Sequence, residues 1–562
     1  MIAVNSIAAR SGRPPHRRTV GRLSPVALFM LLAAVPTSPA AAQYPDAWVV
    51  PKGALRLGFE PRYDSHGEVF DSNGVLRPLG AYLSDTALGV RLIPTLLPTQ
   101  LALRGITLDT TLTLNAGAFR TSLDADVRRI PLSLAFGITR RLTVTAMIPF
   151  VTTRAQALVS LDTAGGVGWN QAAPDAGNAA AAGQIQSLLA ELESAAAFID
   201  AQVAANGYDC PAGPTCDEAR ALVSRTRSVA IDVSAMSGVT SGGVSGTLLP
   251  PFAPLATSPE GLAVVAELQA LSADLQTFGA AGLAASLPLP TSPLGEDDFA
   301  SLLGDSAYGY LASPIGFHSF NKRLGDAEVG LRYGLIQNDR LRTVVAATAR
   351  LPTGQRDAPN HYTDLGTGDR QTDVELRLET VWQPGIIAVA FDVSYTLQLG
   401  DNLVRRVAPF TAPLATALAE TTVQRNLGDI LRLGLYPSLR LSDGFTAYAS
   451  ASYLKKTADR YVLPSGFDVP LEAGGPVTAA DLSLGTDWHT LSFGAGVYYR
   501  SVGARGSTAL PVEAGIDYRS AFRGSGGLAP KTSTVNIFLR LYWRLFGGPP
   551  AAETSTDPGD AP

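Results

Sequence analysis

Apolar and polar residues alternate with a period of two along many short runs of this chain. In the run 535–546, Val535, Ile537, Leu539, Leu541, Trp543 and Leu545 share one face of an extended backbone. Asn536, Arg540, Tyr542 and Arg544 share the other, with Phe538 and Phe546 as apolar exceptions. Side chains alternate faces along a strand, so the run predicts a strand with one oily and one polar side. Similar runs come in pairs. Leu132 to Ile138 and Leu142 to Phe150 flank Arg140-Arg141, and Val329 to Leu335 and a run ending at Leu351 flank Asn338-Asp339. Val374 to Trp382 and Ile387 to Leu397 flank Pro384-Gly385, and Leu431 to Leu441 and Phe445 to Tyr453 flank Ser442-Asp443-Gly444. Leu491 to Tyr499 and Leu510 to Tyr518 flank a glycine-containing turn. Gly, Pro, Asn and Asp at the tips predict hairpins.

The far ends of these runs are joined by long links, over 162–324, 353–370, 400–427, 457–487 and 523–531. Short turns at one end and long loops at the other are the pattern of a closed barrel in an outer membrane, apolar outward and polar inward. With a first strand over 53–63 the runs make twelve strands, and a strand over 105–115 would lead to fourteen. Alternation alone fits a soluble two-sheet protein equally; the loop asymmetry and the N-terminus decide. The expected fold is all-β, a transmembrane antiparallel up-and-down β-barrel with a helical insertion in one long extracellular loop. That insertion is the link 162–324. Ile185, Leu188, Leu189, Leu192, Ala196, Ile199 and Val203 recur at helical spacing, as do Leu262, Val265, Leu268, Leu271, Leu275 and Phe278. Ser258-Pro259-Glu260 reads as an N-cap, a first-turn proline and a first-turn acid. Two main helices and a shorter one near 217–228 are expected, as a cap over the outer mouth, a plug in the lumen or a hairpin packed on itself.

Charged residues make up 17% of the 562 residues, below the usual share of about a quarter. Beyond the N-terminus no apolar run of about 20 residues marks a helical span. Arg10, Arg13, Arg17, Arg18 and Arg22 precede an apolar core over 26–35, and Ala40-Ala41-Ala42 precedes Gln43. This is the pattern of a signal peptide over 1–42, cleaved between Ala42 and Gln43. Its five arginines and lack of acids mean that cleavage moves the formal net charge from −5 to −10. A basic nucleic-acid surface is thereby excluded. The barrel is expected over 43–546, followed by a disordered Pro-, Ala-, Asp- and Thr-bearing tail over 547–562. Cys210 and Cys216 predict a disulfide in an exported chain.

The polar faces carry Glu328 and Arg332, then Glu375, Arg377 and Glu379, then Asp392, Arg432, Arg440, Asp517 and Arg540. Inside a barrel these ten residues would line the lumen, either as a wet wall that selects solutes by charge or as a purely structural ion-pair lattice. No P-loop, metal-ligand cluster or dinucleotide fingerprint is present, so neither a cofactor nor a metal is expected. His489, beside Asp487 and before Ser492, is the one arrangement that permits a catalytic site, at the barrel rim.

Three segments resemble a known family. They are FGITRRLTVTAMIPFV (136–151), LGDAEVGLRYGLIQNDRLRTVVAATARLPTG (324–354) and LGTGDRQTDVELRLETVW (365–382). Their hairpin, G-D, L-P-T-G and L-G-T-G elements resemble those of an outer-membrane transporter family named for the MetA pathway of phenol degradation. The likeness extends over 120–160 and 320–546, with the helical link and the cysteines outside it. It implies a barrel in the bacterial outer membrane, lipid around it, delivery by the barrel assembly machinery and movement of small molecules, aromatic ones included. The expected function is a channel for passive uptake of small molecules, without enzymatic activity. The alternatives are a structural or surface-interaction barrel and a rim-site hydrolase.

Overall fold

The computed structural model describes residues 47–546, except 163, 174–175, 177, 179, 241–242, 245–249, 306–307, 313–318, 362, 409–413, 468–476 and 502–511. The predicted signal segment with Ala42 and Gln43, the tail 547–562 and Leu510 lie outside the described residues. Among the described residues, twelve strands form one closed antiparallel barrel. They are β1 (Ala54–Phe59 and Arg62–Phe70), β2 (Phe119–Gly137), β3 (Leu142–Leu161), β4 (Ser319–Leu324 and Glu328–Gln337), β5 (Leu341–Arg350) and β6 (Asp373–Trp382). Then follow β7 (Ile387–Gln398), β8 (Ile430–Arg440), β9 (Phe445–Lys456), β10 (Trp488–Arg500), β11 (Val512–Ser525) and β12 (Ala529–Arg544). β1 closes the barrel: Leu57 lies opposite Leu134 of β2 and Leu541 of β12. The two ends of the sheet meet on the short-turn side, where the Gly53 carbonyl accepts hydrogen bonds from the Leu545 and Phe546 N–H groups at 2.9 and 3.2 Å. Gly53 has φ +73°, and a Cβ there would sit 2.6 Å from the Phe546 carbonyl oxygen, so the position requires glycine.

Two sequence expectations need correction. The segment 105–115 is not a strand: Leu97–Thr107 forms helix α1, with Thr99, Gln100, Ala102, Leu103 and Ile106 buried at helical spacing. Leu112 and Leu114 do alternate with Thr111 and Thr113, but that stretch joins no sheet. The barrel therefore has twelve strands, not fourteen. Nor is 523–531 a long loop, because β11 and β12 continue until only 526–528 separates them.

The outward face is apolar around the barrel. Leu132, Ile148, Leu331, Leu376, Phe391, Leu435, Val497 and Ile537 are all exposed large side chains. Exposed aromatics stand at both edges, Trp382, Phe445 and Tyr499 near the turns and Tyr395, Tyr518 and Phe522 near the loops. An apolar band between aromatic girdles is what lipid demands of a barrel exterior. β2 and β3, 19 and 20 residues long, run past this band. Their outward residues change from Ile130 and Phe150 to Arg128, Asp124, Arg154 and Ser160, so the extension stands in water. Along the same line β1 breaks at Glu60-Pro61, Pro131 faces Pro149, and β4 breaks at Gly325-Asp326. Proline lacks an N–H donor, so the ladder is thinned where the extension begins.

The inner face of that extension carries the helical insertion. Phe119, Leu123, Ala125, Ala155, Ala157 and Leu161 join one core with helices α2 (Ala181–Ala204), α3 (Pro214–Ser237), α4 (Pro259–Thr277) and α5 (Glu296–Gly304), and with α1. From β2 and β3 this core takes nothing nearer the turns than Ala125 and Ala155. α3 is as long as α2, 24 residues, where a shorter helix was expected. Its low apolar content hid its length, since one narrow stripe of Ala219, Leu222, Val229 and Val233 suffices to dock it. Ser258 caps α4, its hydroxyl accepting from the Gly261 N–H at 3.1 Å, and a disulfide ties Cys210 to Cys216 in the first turn of α3.

The motif-bearing segments meet at the loop-side rim. The Asp326 carboxylate accepts the Gly354 N–H at 2.7 Å and the Asp369 N–H at 3.1 Å. Thr353 donates to the Gly325 carbonyl and Thr367 to the Leu324 carbonyl, both at 2.8 Å. A Cβ on Gly368 would lie 2.3 Å from Asp326 Oδ2. One buried carboxylate in the break of β4 thus holds both ends of the β5–β6 loop. Asp326→Ala leaves two N–H groups without their acceptor and is expected to cost about 2–4 kcal/mol. Denaturant unfolding measures the loss, and limited proteolysis should then cut first within 351–372.

Candidate functional site

The barrel interior gathers the polar faces of the strands. On β4, β5 and β6, Arg332 binds Glu379 at 2.6 Å, Arg377 binds Glu375 at 2.7 Å, and Arg350 binds Asp373 at 2.7 Å and Glu328 at 3.5 Å. These groups sit two or four residues apart along each strand or face one another across rungs, so period-two spacing stacks them into one lattice. Across the closure, Arg540 reaches Glu60 at 3.0 Å and Glu513 at 3.4 Å, and Arg500 binds Glu513 at 2.6 Å. Nearer the loops, Asp64 accepts Arg62 at 2.8 Å, Arg129 at 2.9 Å and the Thr534 hydroxyl at 2.7 Å.

Among the described residues, cavities remain between these groups. One, of about 150 Å³, is bounded by Arg56, Glu60, Glu328, Arg332, Glu375, Arg377 and Arg540. Another, of about 70 Å³, lies nearer the loops between Arg62, Arg129, Arg432, Arg519 and Trp488. Below it, towards the turns, stand Tyr436 and Tyr448. Gly434 and Gly496 make room for them: a Cβ on Gly434 would lie 2.1 Å from Asp392 Oδ1 and 2.6 Å from the Tyr436 ring, and one on Gly496 2.7 Å from both Asp517 Cβ and Tyr448 Oη. Asp517 accepts the Asn536 amide at 3.0 Å.

The turn-side end of the lumen is occupied by the chain's own N-terminal segment. Ala47 and Val49 pack on Val344, Val381, Ala388, Ala390, Tyr436 and Tyr448. Gln337 donates to the Ala47 carbonyl at 3.1 Å, and the Val50 N–H donates to the Thr143 hydroxyl at 2.9 Å. The Trp48 ring lies under Arg342, 4.6 Å from its guanidinium carbon.

Of the ten residues singled out from the sequence, Glu328, Arg332, Glu375, Arg377 and Glu379 share one lattice and Arg540 belongs to the second. Arg432 borders the smaller cavity, with Asp392 and Asp517 one interior position nearer the turns. Arg440 stands apart, exposed at the turn rim, its guanidinium 3.5 Å from the Gly385 carbonyl. Phe538, an apolar exception on paper, is buried inside, with the Arg540 guanidinium 5.1 Å from its ring. Glu60, Asp64, Arg129 and Arg500 were not singled out. The strict alternation of 119–129 was there to place Arg129. The rim hydrolase loses its serine: His489 lies on the outward face and meets Ser525 at 3.1 Å, whereas Ser492 borders the inner cavity with Trp488 and Thr490. Among the described residues no group of three His, Cys, Asp or Glu side chains is placed to hold a metal ion.

No protein-family model matches the chain, and no curated protein matches it. Similar solved structures include an outer membrane channel from Pseudomonas putida F1, 9% identical with TM-score 0.40, over 89% of this chain and 99% of that one. The Ralstonia pickettii toluene transporter TbuX is 11% identical with TM-score 0.28, over 88% and 90%. The beta domain of the Bordetella autotransporter BrkA is 9% identical with TM-score 0.28, over 87% and 99%. The barrel is defined by the chain's own hydrogen-bond ladder.

Proposed function

We propose that this chain is a bacterial outer-membrane channel that lets small molecules pass by diffusion. The single observation behind this reading is the inversion of polarity across one wall: an apolar band outside and charged cavities inside. Such a wall suits lipid on one side and a wet path on the other. In this reading residues 1–42 are a signal peptide removed before Gln43, lipid surrounds the band, and the barrel assembly machinery inserts it. The insertion between β3 and β4 caps the outer mouth, and the tail 547–562 follows the barrel as a disordered segment. Glu328, Arg332, Glu375, Arg377, Glu379, Asp392, Arg432, Asp517 and Arg540 line the path, with Arg440 at its turn-side exit. The motif resemblance to the phenol-pathway transporters supports aromatic solutes among those carried. The wall acts by electrostatics and needs no catalytic group.

Liposome swelling measures this directly. Vesicles holding the full-length protein are expected to admit small neutral solutes faster than empty vesicles, with the rate falling steeply as solute size rises. Swelling no faster than in empty vesicles, for both the full chain and a chain freed of its N-terminal segment, would sink the proposal and leave a structural barrel.

A further inference from the structure

The outward wall changes character within one step on three neighbouring strands. On β2, β3 and β4 the last large apolar side chains below the extension are Ile130, Phe150 and Leu324, all exposed. The next outward positions are Arg128, Thr152 and Lys322. They share one rung, with Arg128 and Lys322 each opposite Thr152. Neighbouring strands stand about 4.8 Å apart, so the two cations flank the Thr152 hydroxyl with their backbones roughly 10 Å apart. On β1 the rung continues to Tyr63, whose ring centroid lies 5.6 Å from the Arg128 guanidinium carbon. Arg128 and Lys322 are both exposed. Long cationic side chains lay their stems on apolar surface and keep their heads at its polar edge. Both heads therefore stand where lipid tails give way to headgroups.

The neighbouring acids lie off this rung. Asp126, two residues along β2, accepts the Tyr63 hydroxyl at 2.7 Å and stands 3.9 Å from Arg154. Asp124 is two residues further on, and Glu68 pairs with Lys531 at 2.5 Å. Beyond Lys322, Asp364 and Asp369 of the β5–β6 loop accept the Ala358 and Gln371 N–H groups at 2.9 Å. Arg323, opposite the buried Val151, belongs to the inner face. Farther from the band the outward face is mixed in sign and polar, with Arg154 donating to Gln156 at 2.7 Å and Ser122 and Arg120 exposed beyond. The rung next to the lipid offers two cations and a hydroxyl to one anion.

We propose that Arg128, Thr152 and Lys322 dock the phosphate of a phosphorylated sugar lipid in the outer leaflet. The guanidinium fork and the hydroxyl donate to phosphate oxygens, and the ammonium adds its charge from the other side. The acyl chains of the same molecule lie on Ile130, Phe150 and Leu324. Its sugars rise along the polar outward face of the β2–β3 extension, a height that a glycerol headgroup does not reach. The site rests on the outer-membrane placement with the loops outward, and not on solute passage.

Native mass spectrometry of the full-length protein in detergent is the test. The probe is an acylated glucosamine disaccharide bearing two phosphates, with its dephosphorylated form and phosphatidylglycerol as references. The probe is expected to bind about tenfold or more tightly than either reference, two cations at a lipid surface being enough for that. The double substitution Arg128→Gln/Lys322→Gln should remove the preference, and Arg140→Gln/Arg141→Gln at a turn tip should keep it. All four side chains are exposed, so neither variant disturbs the packing. Equal binding of the phosphorylated and dephosphorylated disaccharides would overturn the proposal, as would phosphatidylglycerol binding as tightly as the probe. So would a preference that survives in the first variant or disappears in the second. Liposome swelling reports on the channel separately: solute entry without the lipid preference defeats this site alone, and the preference without entry defeats the channel alone.

Discussion

Removal of residues 43–50 behind an intact signal segment should turn a slow pore into a fast one. Ala47 to Val50 lie within the turn-side end of the lumen, and Ala47 and Val49 pack on its inner wall. No solute can share that space with them. Contacts that hold the segment include two hydrogen bonds, a small apolar cluster and the Trp48 ring against Arg342 and Arg500. Loss of these cation–π contacts in Trp48→Ala removes about 0.5–2 kcal/mol from the seated state. The unseated fraction should rise by roughly 2- to 30-fold, since about 1.4 kcal/mol is a factor of ten. Planar-bilayer recordings should show more frequent openings for Trp48→Ala and a steadily open pore for the deletion. If the parent conducts and the deletion conducts no more, the constriction lies elsewhere, with the lumen ion pairs as the next place to cut; if neither conducts, the channel reading falls.

Asp64→Ala should destabilise the barrel by about 3–5 kcal/mol, the usual consequence of breaking a buried pair from one side. The carboxylate is 1% exposed and holds two arginines that are themselves 13% and 10% exposed. Without it, Arg62 and Arg129, directly opposite each other on β1 and β2, become unshielded like charges. Arg129→Ala in the same chain should restore part of the loss, because it removes the stranded charge. Denaturant unfolding in micelles gives both numbers. A loss below about 0.5 kcal/mol would place the pair among solvated surface bridges and argue for a wide, water-filled lumen.

Much of the barrel could be read in advance because its signal is local. Leu376, Leu378, Glu375, Arg377 and Glu379 need only the two-residue period to be assigned to opposite faces. The charged residues of β6 and β4 were singled out for that reason. The hairpin tips are equally local, each set by its own turn residues. Reading failed where the period was ambiguous. Leu112 and Leu114 mimic a strand, while Leu97–Thr107 with its buried Thr99 and Gln100 hides a helix. The first loop, 71–118, escaped notice for the same reason. At β2, the alternation over 119–131 is clean but lies above the membrane band, where Arg, Ser and Asp take the outward positions and the apolar residues turn inward.

The chain's alternation by itself determined the strands, their two faces and the turn-to-loop polarity of the barrel, since each depends on neighbours a few residues apart. The tertiary structure alone decided which charges meet. Arg332 and Glu379 are 47 residues apart, Asp64 and Thr534 are 470 apart, and only strand register and closure bring them within hydrogen-bond reach. It alone placed Ala47 and Val49 inside the barrel, gathered the three motif segments around Asp326, and left four arginines around one cavity. These are sums over distant strands. A period of two says that a side chain points inward and is silent about what it will find there.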